Sequence, residues 1–423
     1  MVPHLVTALN GPIGALERRF LDAAPQIEHW LTQQWRSHAP PIHASVDVRH
    51  AGFKVAPVDT NLYPGGWNNL TAAMLPLAAQ AARDAIERLR PGARRLLLVP
   101  ENHTRNLFYL ANVARLQAIF RQAGLSVRLG TVNPDIQAPT TFELPDGGRI
   151  TLEPLVRRGG RLGLDGFEPC VVLLNNDLSA GVPAVLDGLD GPCLVPPLHA
   201  GWHVRRKSRH FEAYDAVAHR LSQLIDIDPW LLNPLFDRCS NVRFADGTGL
   251  DRLQEQVDAL LGRIRRRYAE HGIDAAPFVI VKADNGTYGM GIMTVRDAAE
   301  LAALNRRTRN KMDVIKDGQQ VSDVLIQEGV PTVERIGGAV AEPVVYLMDR
   351  QVVGGFYRVN AGRGIDENLN APGARFEPLA FEPDAGAPNR YYMHGVIGRL
   401  ASLAAAHELE NAASERVQPL LCA

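Results

Sequence analysis

The stretch from Phe278 to Val295, FVIVKADNGTYGMGIMTV, decides how the second half of this chain folds. Two apolar runs flank a turn that contains Gly286, Gly289 and Gly291, and Lys282 ends the first run. Two strands joined by a glycine-rich turn predict a β-hairpin. Glycine lets backbone N–H groups approach an anion closely, and the lysine adds a positive charge. The pattern therefore predicts a lid over nucleotide phosphates, with an ordinary hairpin and an exposed lysine as the alternative.

Composition excludes several other kinds of protein. The 423 residues include 45 basic and 46 acidic side chains, so no net charge points to nucleic acid. The sequence has no basic leader followed by an apolar core, and no apolar run near the roughly 18 residues of a membrane span. Its four cysteines are scattered without a CxxC pair, as expected in a reducing compartment. We expect a soluble cytoplasmic protein without a membrane partner, and a homo-oligomer stays open.

The first half of the chain alternates strand-like and helix-like segments. The predicted elements are a strand at Arg95–Pro100, a helix at Leu107–Ala123, and strands at Leu125–Leu129 and Cys170–Leu174. This order is typical of a parallel sheet, in which ligands bind beyond the carboxyl ends of the strands. The polar loops 101–106 and 175–177 follow two of these strands, so they are candidates for ligand binding, with helix capping as the alternative.

Two helices, Arg209–Ile225 and Leu250–Tyr268, separate this half from a strand-rich part that ends in a third helix, Tyr391–Asn411. The strand-rich part contains predicted strands at Asp323–Glu328, Ala339–Leu347 and Val352–Asn360. We therefore predict an α/β protein with three parts. They are an N-terminal parallel-sheet domain at 1–200, a helical connector at 201–275 and an α+β nucleotide-binding domain at 276–423.

Three segments after the hairpin carry further polar chemistry. Gln327 and Glu328 end a strand, where a backbone edge can pair with adenine and a carboxylate can bind ribose. Glu342 and Arg358 lie on two strands that turn at Asp349-Arg350. The segment 366–373 is rich in oxygen ligands, as nucleotide-bound Mg²⁺ requires, although an Asx-rich turn is the alternative.

In this order, the lysine, the glycine loop, Gln-Glu, the acidic strand, the arginine and the asparagine segment resemble the ATP-grasp superfamily. The residues from Tyr357 to Gly373 resemble the corresponding segment of bacterial glutathione synthetase. The stretch from Phe53 to Leu70, FKVAPVDTNLYPGGWNNL, resembles the proteobacterial glutamate–cysteine ligase family. The resemblance covers most of the chain. It implies an ATP-grasp-like fold and the ATP-dependent formation of γ-glutamylcysteine, with ATP, glutamate and cysteine as small-molecule partners.

The resemblance and the residue chemistry together suggest roles for individual positions. The predicted catalytic residues are Lys282 and Arg358. The predicted ATP ligands are Lys207, Lys282, Gly286, Gly289, Gly291, Gln327 and Glu328, of which Lys207 lies further from Lys282 than the family pattern suggests. The predicted substrate ligands are Lys54, Asp59, Asn61, Asn68, Asn69 and Arg105. The predicted Mg²⁺ ligands are Glu342, Glu367, Asn368 and Asn370, with the C-terminal helix around Glu408 as the alternative, because the late metal-binding strand of typical ATP-grasp ligases is replaced there by helix.

Other functions stay open on the sequence alone. A glutathione synthetase or another γ-glutamyl or peptide ligase would use the same scaffold, and only the segment 53–70 argues between them. A nucleotide-binding regulatory protein without turnover is the alternative from a different class. The presence of Lys282, Arg358 and Glu367 argues against such a loss of activity.

Overall fold

The computed structural model describes residues 12–189, 193–285, 291–313, 321–379 and 390–421. The predicted glycines Gly286 and Gly289 lie outside these residues. The helices in the described part are α1 Pro12–Asp22, α2 Ala24–Ser37, α3 Leu75–Leu89, α4 Leu107–Gln122, α5 Lys207–Ile225, α6 Leu250–Glu270, α7 Arg306–Asp313 and α8 Arg390–Leu421. None of these helices has the length and apolar character needed to cross a membrane.

The strands of the described part are β1 His43–His50, β2 Val55–Asn61, β3 Arg95–Pro100, β4 Ser126–Thr131, β5 Thr140–Glu143, β6 Arg149–Pro154, β7 Val156–Arg158, β8 Arg161–Gly163, β9 Val171–Asn175, β10 Leu194–Val195, β11 Phe236–Ser240, β12 Val279–Ala283, β13 Ile292–Val295, β14 Asp323–Glu328, β15 Arg335–Ile336, β16 Ala339–Met348, β17 Gln351–Asn360 and β18 Arg375–Pro378.

The parallel sheet predicted for the first half is confirmed. Its strand order is β10-β9-β3-β4-β6-β5, and β3 runs parallel to both β4 and β9. Helix α4 makes the crossover from β3 to β4, and Asn106 caps it by accepting a hydrogen bond from the Tyr109 backbone N–H. The capping alternative for the loop 101–106 is therefore realised at Asn106.

A second sheet, of strand order β18-β17-β16-β1-β2, joins the two ends of the chain. β1 pairs antiparallel with β16, so residues near 45 lie beside residues near 345. The predicted β16–β17 hairpin is confirmed, and Asp349 in its turn has a φ of 56°. The boundaries at residues 200 and 275 stay predictions, but this pairing places parts of the first and the last predicted domain in one sheet.

The third sheet contains the decisive hairpin. Its order is β11-β14-β12-β13, and β12 pairs antiparallel with both β13 and β14. The two apolar runs around the glycine turn are thus confirmed as paired strands. β11 belongs to the segment 201–275, so the predicted helical connector also contains a strand. The sequence of β11, FDRCS, lacks the apolar pattern of a typical strand. The segment is a strand because its backbone pairs with β14.

Helix α8 runs along the second sheet and ends the fold. Its residues from Val396 to Ala406 are almost all buried, and they pack against apolar side chains of β1 and β16. The opposite face of that sheet packs on α3. Since Ala44, Val46 and Val48 point to the α8 side, the alternation of a strand points Asp47 and Arg49 the other way.

Candidate active site

A cleft lies where strands β1, β2 and β16 of the second sheet face strands β12 and β14 of the third. It has about 760 Å³ of empty space, a figure that includes the solvent at its open mouth. The polar side chains that line it are Asp47, Arg49, Asp59, Lys207, Lys282, Gln327, Glu328, Glu342, Asn368 and Asn370. The apolar ones are Val58, Ile280, Ala283, Ile292 and Val330. Eight of the predicted site residues therefore line one cleft.

Lys207 and Lys282, which are far apart in the sequence, meet in this cleft because Asp284 joins the elements that carry them. Asp284 is fully buried just after β12, and its carboxylate accepts hydrogen bonds from the Ser208 N–H at 2.7 Å and the Ser208 hydroxyl at 2.8 Å. The Asp284 carbonyl also accepts from the Lys207 N–H at 2.8 Å. A carboxylate at a helix N-terminus satisfies free N–H groups and stabilises the helix dipole. Helix α5 therefore begins at Lys207, two residues before its predicted start.

Both lysines are buried rather than exposed. The Lys282 side chain donates to the Val58 carbonyl at 2.7 Å, so the alternative of an exposed Lys282 is wrong. Burial lowers the pKa of Lys282 to about 7, and the neighbouring Lys207 contributes in the same direction. Such a lysine lacks a full counter-charge, which a phosphate would supply.

Asp59 at the end of β2 is the carboxylate that Lys207 contacts. Burial by itself would raise the pKa of Asp59, but the ammonium groups of Lys207 and Lys282 hold it well below its ordinary value. Asp59 was predicted as a substrate ligand, and the structure places it beside the two lysines, inside the cleft.

Glu342 lines the cleft, and Arg358, which is outside the lining, contacts Glu342 and Asp47. Glu342 and Arg358 are directly opposite each other in the β16–β17 pair, and the Arg358 Nη1 lies 2.7 Å from the Glu342 Oε1. The second Glu342 oxygen accepts from Arg49 Nε at 2.7 Å, and Arg358 also donates to Asp47 at 2.7 Å. Two buried arginines thus alternate with two carboxylates.

Burial and the neighbouring charges shift the pKa values of the groups in this cluster. Burial raises the pKa of Asp47, with Arg358 opposing that shift. Burial acts in the same way on Glu342, but Arg49 and Arg358 outweigh it and hold the pKa of Glu342 below its ordinary value. Although burial would lower the pKa of Arg358, the two carboxylates raise it. Arg358 is therefore a permanently charged neighbour of the cleft, and its Nε is buried without a hydrogen-bond partner among the described residues.

Gln327 and Glu328 differ in how free their side chains are. The Gln327 Nε2 is buried, lines the cleft and has no partner in the part of the chain that the structure describes. Glu328 instead accepts from Lys54 at 3.0 Å, from Trp230 Nε1 at 3.1 Å and from the Leu235 N–H at 2.8 Å. Burial lowers the pKa of Lys54 to about 8. Lys54 is wholly buried against Glu328 and the Asn233 carbonyl, so this geometry does not favour Lys54 as a substrate ligand or Glu328 as a ribose ligand.

The segment 366–370 closes one side of the cleft. Arg49 Nη2 donates to the Glu367 carbonyl at 2.6 Å, and Arg296 forms an ion pair with Asp366. The Asn368 Oδ1 accepts from the Asn370 N–H at 2.9 Å, which is the Asx turn expected as the alternative. Asn368 and Asn370 still line the cleft, whereas the Glu367 carboxylate accepts from the Gly364 N–H and from Arg363 outside it.

The remaining predicted substrate residues lie outside the cleft lining. Asn61 accepts from the Tyr63 N–H at 2.9 Å, and Arg105 is exposed in the loop before α4. Asn68 and Asn69 lie in a short helical turn that begins at Trp67, and the Asn68 Oδ1 is buried without a partner among the described residues. Gly291, the third predicted ATP-binding glycine, has a φ of 61°, and its carbonyl accepts from the Ala283 N–H at the mouth of the hairpin.

Sequence reasoning missed Asp47 and Arg49. Both lie on β1, where they alternate with the buried apolar residues Ala44, Val46 and Val48. Charged residues that alternate with buried apolar ones indicate one polar face inside the protein. That signal was present, but the partner strand β16 lies almost 300 residues away, so the sequence does not reveal what the face meets.

A buried polar network supports the cleft from behind. Arg205 forms a two-point ion pair with Glu408 of α8, at 2.8 and 3.0 Å, and donates to the Thr60 carbonyl at 2.9 Å. His210 bridges the Glu408 carboxylate and the Thr60 hydroxyl. Although burial would raise it, Arg205 and His210 lower the pKa of Glu408 to about 2. Glu408 is therefore occupied by protein partners, which does not favour the C-terminal helix as a metal ligand of the cleft.

Comparison with known proteins supports a functional reading of this cleft. The family model of glutamate-cysteine ligase matches residues 17–409. A crystal structure from Methylobacillus flagellatus KT, described as a "Putative gamma-glutamylcysteine synthetase", is 59% identical to this chain, with a TM-score of 0.89. The match covers 97% of this chain and 99% of that one. No curated protein matches this chain.

The chain is thus an enzyme, a ligase that forms carbon–nitrogen bonds. The chain belongs to the glutamate-cysteine ligase family.

Proposed function

We propose that this enzyme binds ATP in the cleft and uses it to join the γ-carboxylate of L-glutamate to the amine of L-cysteine, the first step of glutathione biosynthesis. The observation that carries the placement is the convergence of Lys207 and Lys282 in one cleft with Gln327 and Arg358 beside it. The reaction is assigned from membership of the glutamate-cysteine ligase family.

The reaction has two steps that need different help from the protein. A γ-carboxylate oxygen of glutamate attacks the γ-phosphorus of ATP, and ADP leaves, which gives γ-glutamyl phosphate. The amine of cysteine then attacks the acyl carbon, phosphate leaves, and the amine loses a proton. Phosphoryl transfer needs positioning and charge neutralisation more than covalent help.

Lys207 and Lys282 are suited to hold the phosphates. Lys282 is buried with its pKa lowered to about 7, so an arriving polyphosphate supplies the counter-charge that the cleft lacks. Lys207 contacts Asp59, and on ATP binding part of its hydrogen bonding would shift from Asp59 to the phosphates. Arg358 is fixed by Asp47 and Glu342 and keeps its charge at any working pH.

The apolar side of the cleft suits the adenine base of ATP. Ile280, Ile292, Val58 and Val330 supply apolar contacts, and the Gln327 Nε2 offers a buried donor that has no partner among the described residues. Desolvating such a donor costs about 1–3 kcal/mol unless a ligand satisfies it. We infer that this antiparallel sheet with its glycine hairpin is an ATP-grasp-type nucleotide site in which the hairpin covers the phosphates and keeps water from the acyl phosphate.

Mg²⁺ fits this cleft as a nucleotide-borne ion. Nucleotide-bound Mg²⁺ needs only one or two carboxylates, with phosphate and water oxygens completing its shell. Asn368, Asn370 and Asp47, whose carboxylate accepts from one arginine, line the cleft and would hold it, whereas Glu342 accepts from two arginines and Glu367 bonds outside the cleft. When bound, the ion would neutralise charge on the transferred phosphoryl group.

Glutamate and cysteine need their own sites next to the γ-phosphate. Asp59, at the cleft end of β2, is suited to an ammonium group. Asn68 and Asn69 follow β2 in the chain, and the free Asn68 Oδ1 offers an acceptor. Arg105 stays a candidate for the α-carboxylate of glutamate. If it binds that group, Arg105→Ala raises the KM for glutamate more than the KM for ATP, and equal effects on both would remove it from the glutamate site.

ADP release with Mg-ATP tests the proposal directly. We expect ADP matched by γ-glutamylcysteine when glutamate and cysteine are present, and no ADP with γ-glutamylcysteine and glycine. Activity only in the second mixture would mean a glutathione synthetase on the same scaffold. Binding of ATP without turnover in either mixture would instead favour another ligase substrate pair or an ATP-binding regulatory protein.

A further inference from the structure

Two histidines and a glutamate gather on the surface behind the cleft, at the junction of α2 and α8. His38 directly follows α2 as its C-cap residue, and His407 and Glu410 are three residues apart on α8. Residues three apart lie on the same side of a helix. One ligand atom from each of the three residues lies within 4.8 Å of the other two, and among the described residues no other group of histidine, cysteine or carboxylate side chains has this spacing.

The three side chains are close enough for one cation to contact all of them. His38 Nδ1 lies 2.8 Å from the Glu410 Oε2, and the imidazole rings of His38 and His407 are 3.9 Å apart between their centroids. The His407 Nε2 is buried and has no hydrogen-bond partner among the described residues. A buried ring nitrogen without a partner is costly, and a bound cation would satisfy it.

We propose that His38, His407 and Glu410 bind a divalent transition metal ion of the zinc type, outside the catalytic cleft. Two imidazole nitrogens and one carboxylate are a common donor set for Zn²⁺, with a water as the fourth ligand. The same set disfavours Mg²⁺ and Ca²⁺, which prefer six or more oxygen ligands. Each of the three residues is partly exposed, so an ion can enter and leave from solvent.

The position of this site in the fold suggests what the ion does. It would tie the C-terminal end of α2 to the turn of α8 that carries Glu408, which lies between two of the ligands in the sequence. Glu408 holds Arg205 and His210, and these bind Thr60, the neighbour of Asp59 in the cleft. The metal would thus stabilise the position of α8, whose Glu408 holds residues next to the cleft, and it would take no part in phosphoryl transfer.

The experiment uses full-length protein without a histidine tag, stripped with a chelator and titrated with Zn²⁺ against a chromophoric competitor. We expect one Zn²⁺ ion per chain at this site, retained in millimolar Mg²⁺, and a rise in Tm on Zn²⁺ addition. Because loss of an outer-shell partner alone costs ~10–100-fold in metal affinity, His407→Gln and His38→Ala should each weaken binding by at least about tenfold. Co²⁺ in place of Zn²⁺ should give the visible absorption of a four-coordinate site.

His219→Ala is the matched control. His219 is an exposed helical histidine on α5 with a carboxylate one turn away, Asp215, and it is outside the proposed site. Its replacement should leave Zn²⁺ affinity unchanged. The proposal is overturned if the protein binds no Zn²⁺, or if His38→Ala and His407→Gln both bind it as the parent chain does. These readouts do not depend on turnover, so they stand apart from the test of the proposed ligase reaction.

Discussion

The Asp284 carboxylate receives both the backbone N–H and the hydroxyl of Ser208, at 2.7 and 2.8 Å. This contact binds the strand that ends near Lys282 to the helix that begins at Lys207. The cleft therefore owes its pair of lysines to a residue that does not itself line it.

Replacing Asp284 by alanine should damage both the fold and ATP binding. Two buried donors on Ser208 and the first turn of α5 would lose their acceptor, which costs about 1–3 kcal/mol of unfolding free energy. Lys207 would no longer be held beside Lys282, so the KM for ATP should rise. Urea denaturation and steady-state kinetics measure the two effects. Asp274→Ala, at an exposed carboxylate with no hydrogen bond or ion pair to the described residues, is the control and should change neither quantity.

Lys282→Met should abolish most of the ATP turnover while the protein stays folded. Methionine keeps the length of the side chain but removes the charge that we assign to the phosphates. Removing a single donor from a charge-stabilising site typically costs ~10²–10³-fold in kcat. Circular dichroism checks the fold and ADP release checks the rate. Turnover near that of the parent chain would disprove the phosphate assignment.

The lowered pKa of Lys282 predicts how activity and stability depend on pH. In the ligand-free enzyme the ammonium loses its proton at a pH of about 7, so kcat/KM for ATP should fall as the pH rises above 7. Lys282→Arg keeps its charge and should lose this limb of the profile. Identical profiles for the two proteins would contradict the assignment.

The lowered pKa of Lys282 also determines whether the free energy of unfolding rises or falls with pH. Unfolded Lys282 titrates near its ordinary value of about 10.4, so between pH 7 and about 10 the unfolded chain binds more protons than the folded one. Folded stability should therefore rise with pH across this window, and Lys282→Met should remove that rise. Denaturant midpoints of both proteins at several pH values measure it.

Gln327→Leu should separate nucleotide binding from stability. The buried Gln327 Nε2 has no partner in the described part of the protein, so an apolar replacement of similar size should leave the unfolding free energy unchanged or slightly higher. If the amide binds the nucleotide, the KM for ATP should rise about 5- to 30-fold, equivalent to ~1–2 kcal/mol. A fall in stability with an unchanged KM would assign Gln327 to the fold alone.

Glu408→Gln should destabilise the enzyme strongly although it lies behind the cleft. Arg205 would remain buried without its ion-pair partner, and such a loss typically costs about 3–5 kcal/mol. The lowered pKa of Glu408 means that its stabilisation is present above pH ~4.5 and is lost as the pH falls toward 2. Glu415→Gln, at a carboxylate exposed on the same helix, is the control, and equal denaturation midpoints for the two variants would count against the network.

Much of the local structure was readable from the sequence. The strands at Arg95–Pro100 and Asp323–Glu328 have the predicted bounds, because each is a short apolar run with clear ends. The hairpin around Gly291 was predicted for the same reason. Residues chosen for their chemistry, such as Lys207, Lys282 and Gln327, do line one cleft.

The errors come from partners that are distant in sequence. β11 was missed because its pairing with β14, not its own pattern, makes it a strand, and α5 begins early because its cap comes from Asp284. Lys54 lies within the family-like segment, and its pairing with Glu328, more than 270 residues away, is not visible in the sequence.

The sequence by itself determined the periodic elements, the glycine hairpin and the family resemblance, since those depend on residues close together in the chain. Only the tertiary structure decided which charges face each other. Pairing of β1 with β16 brings Asp47 and Arg49 to Glu342 and Arg358. Whether a charged side chain is free for a ligand or already paired depends on neighbours from other segments, because electrostatic and hydrogen-bond partners are set by distance in space.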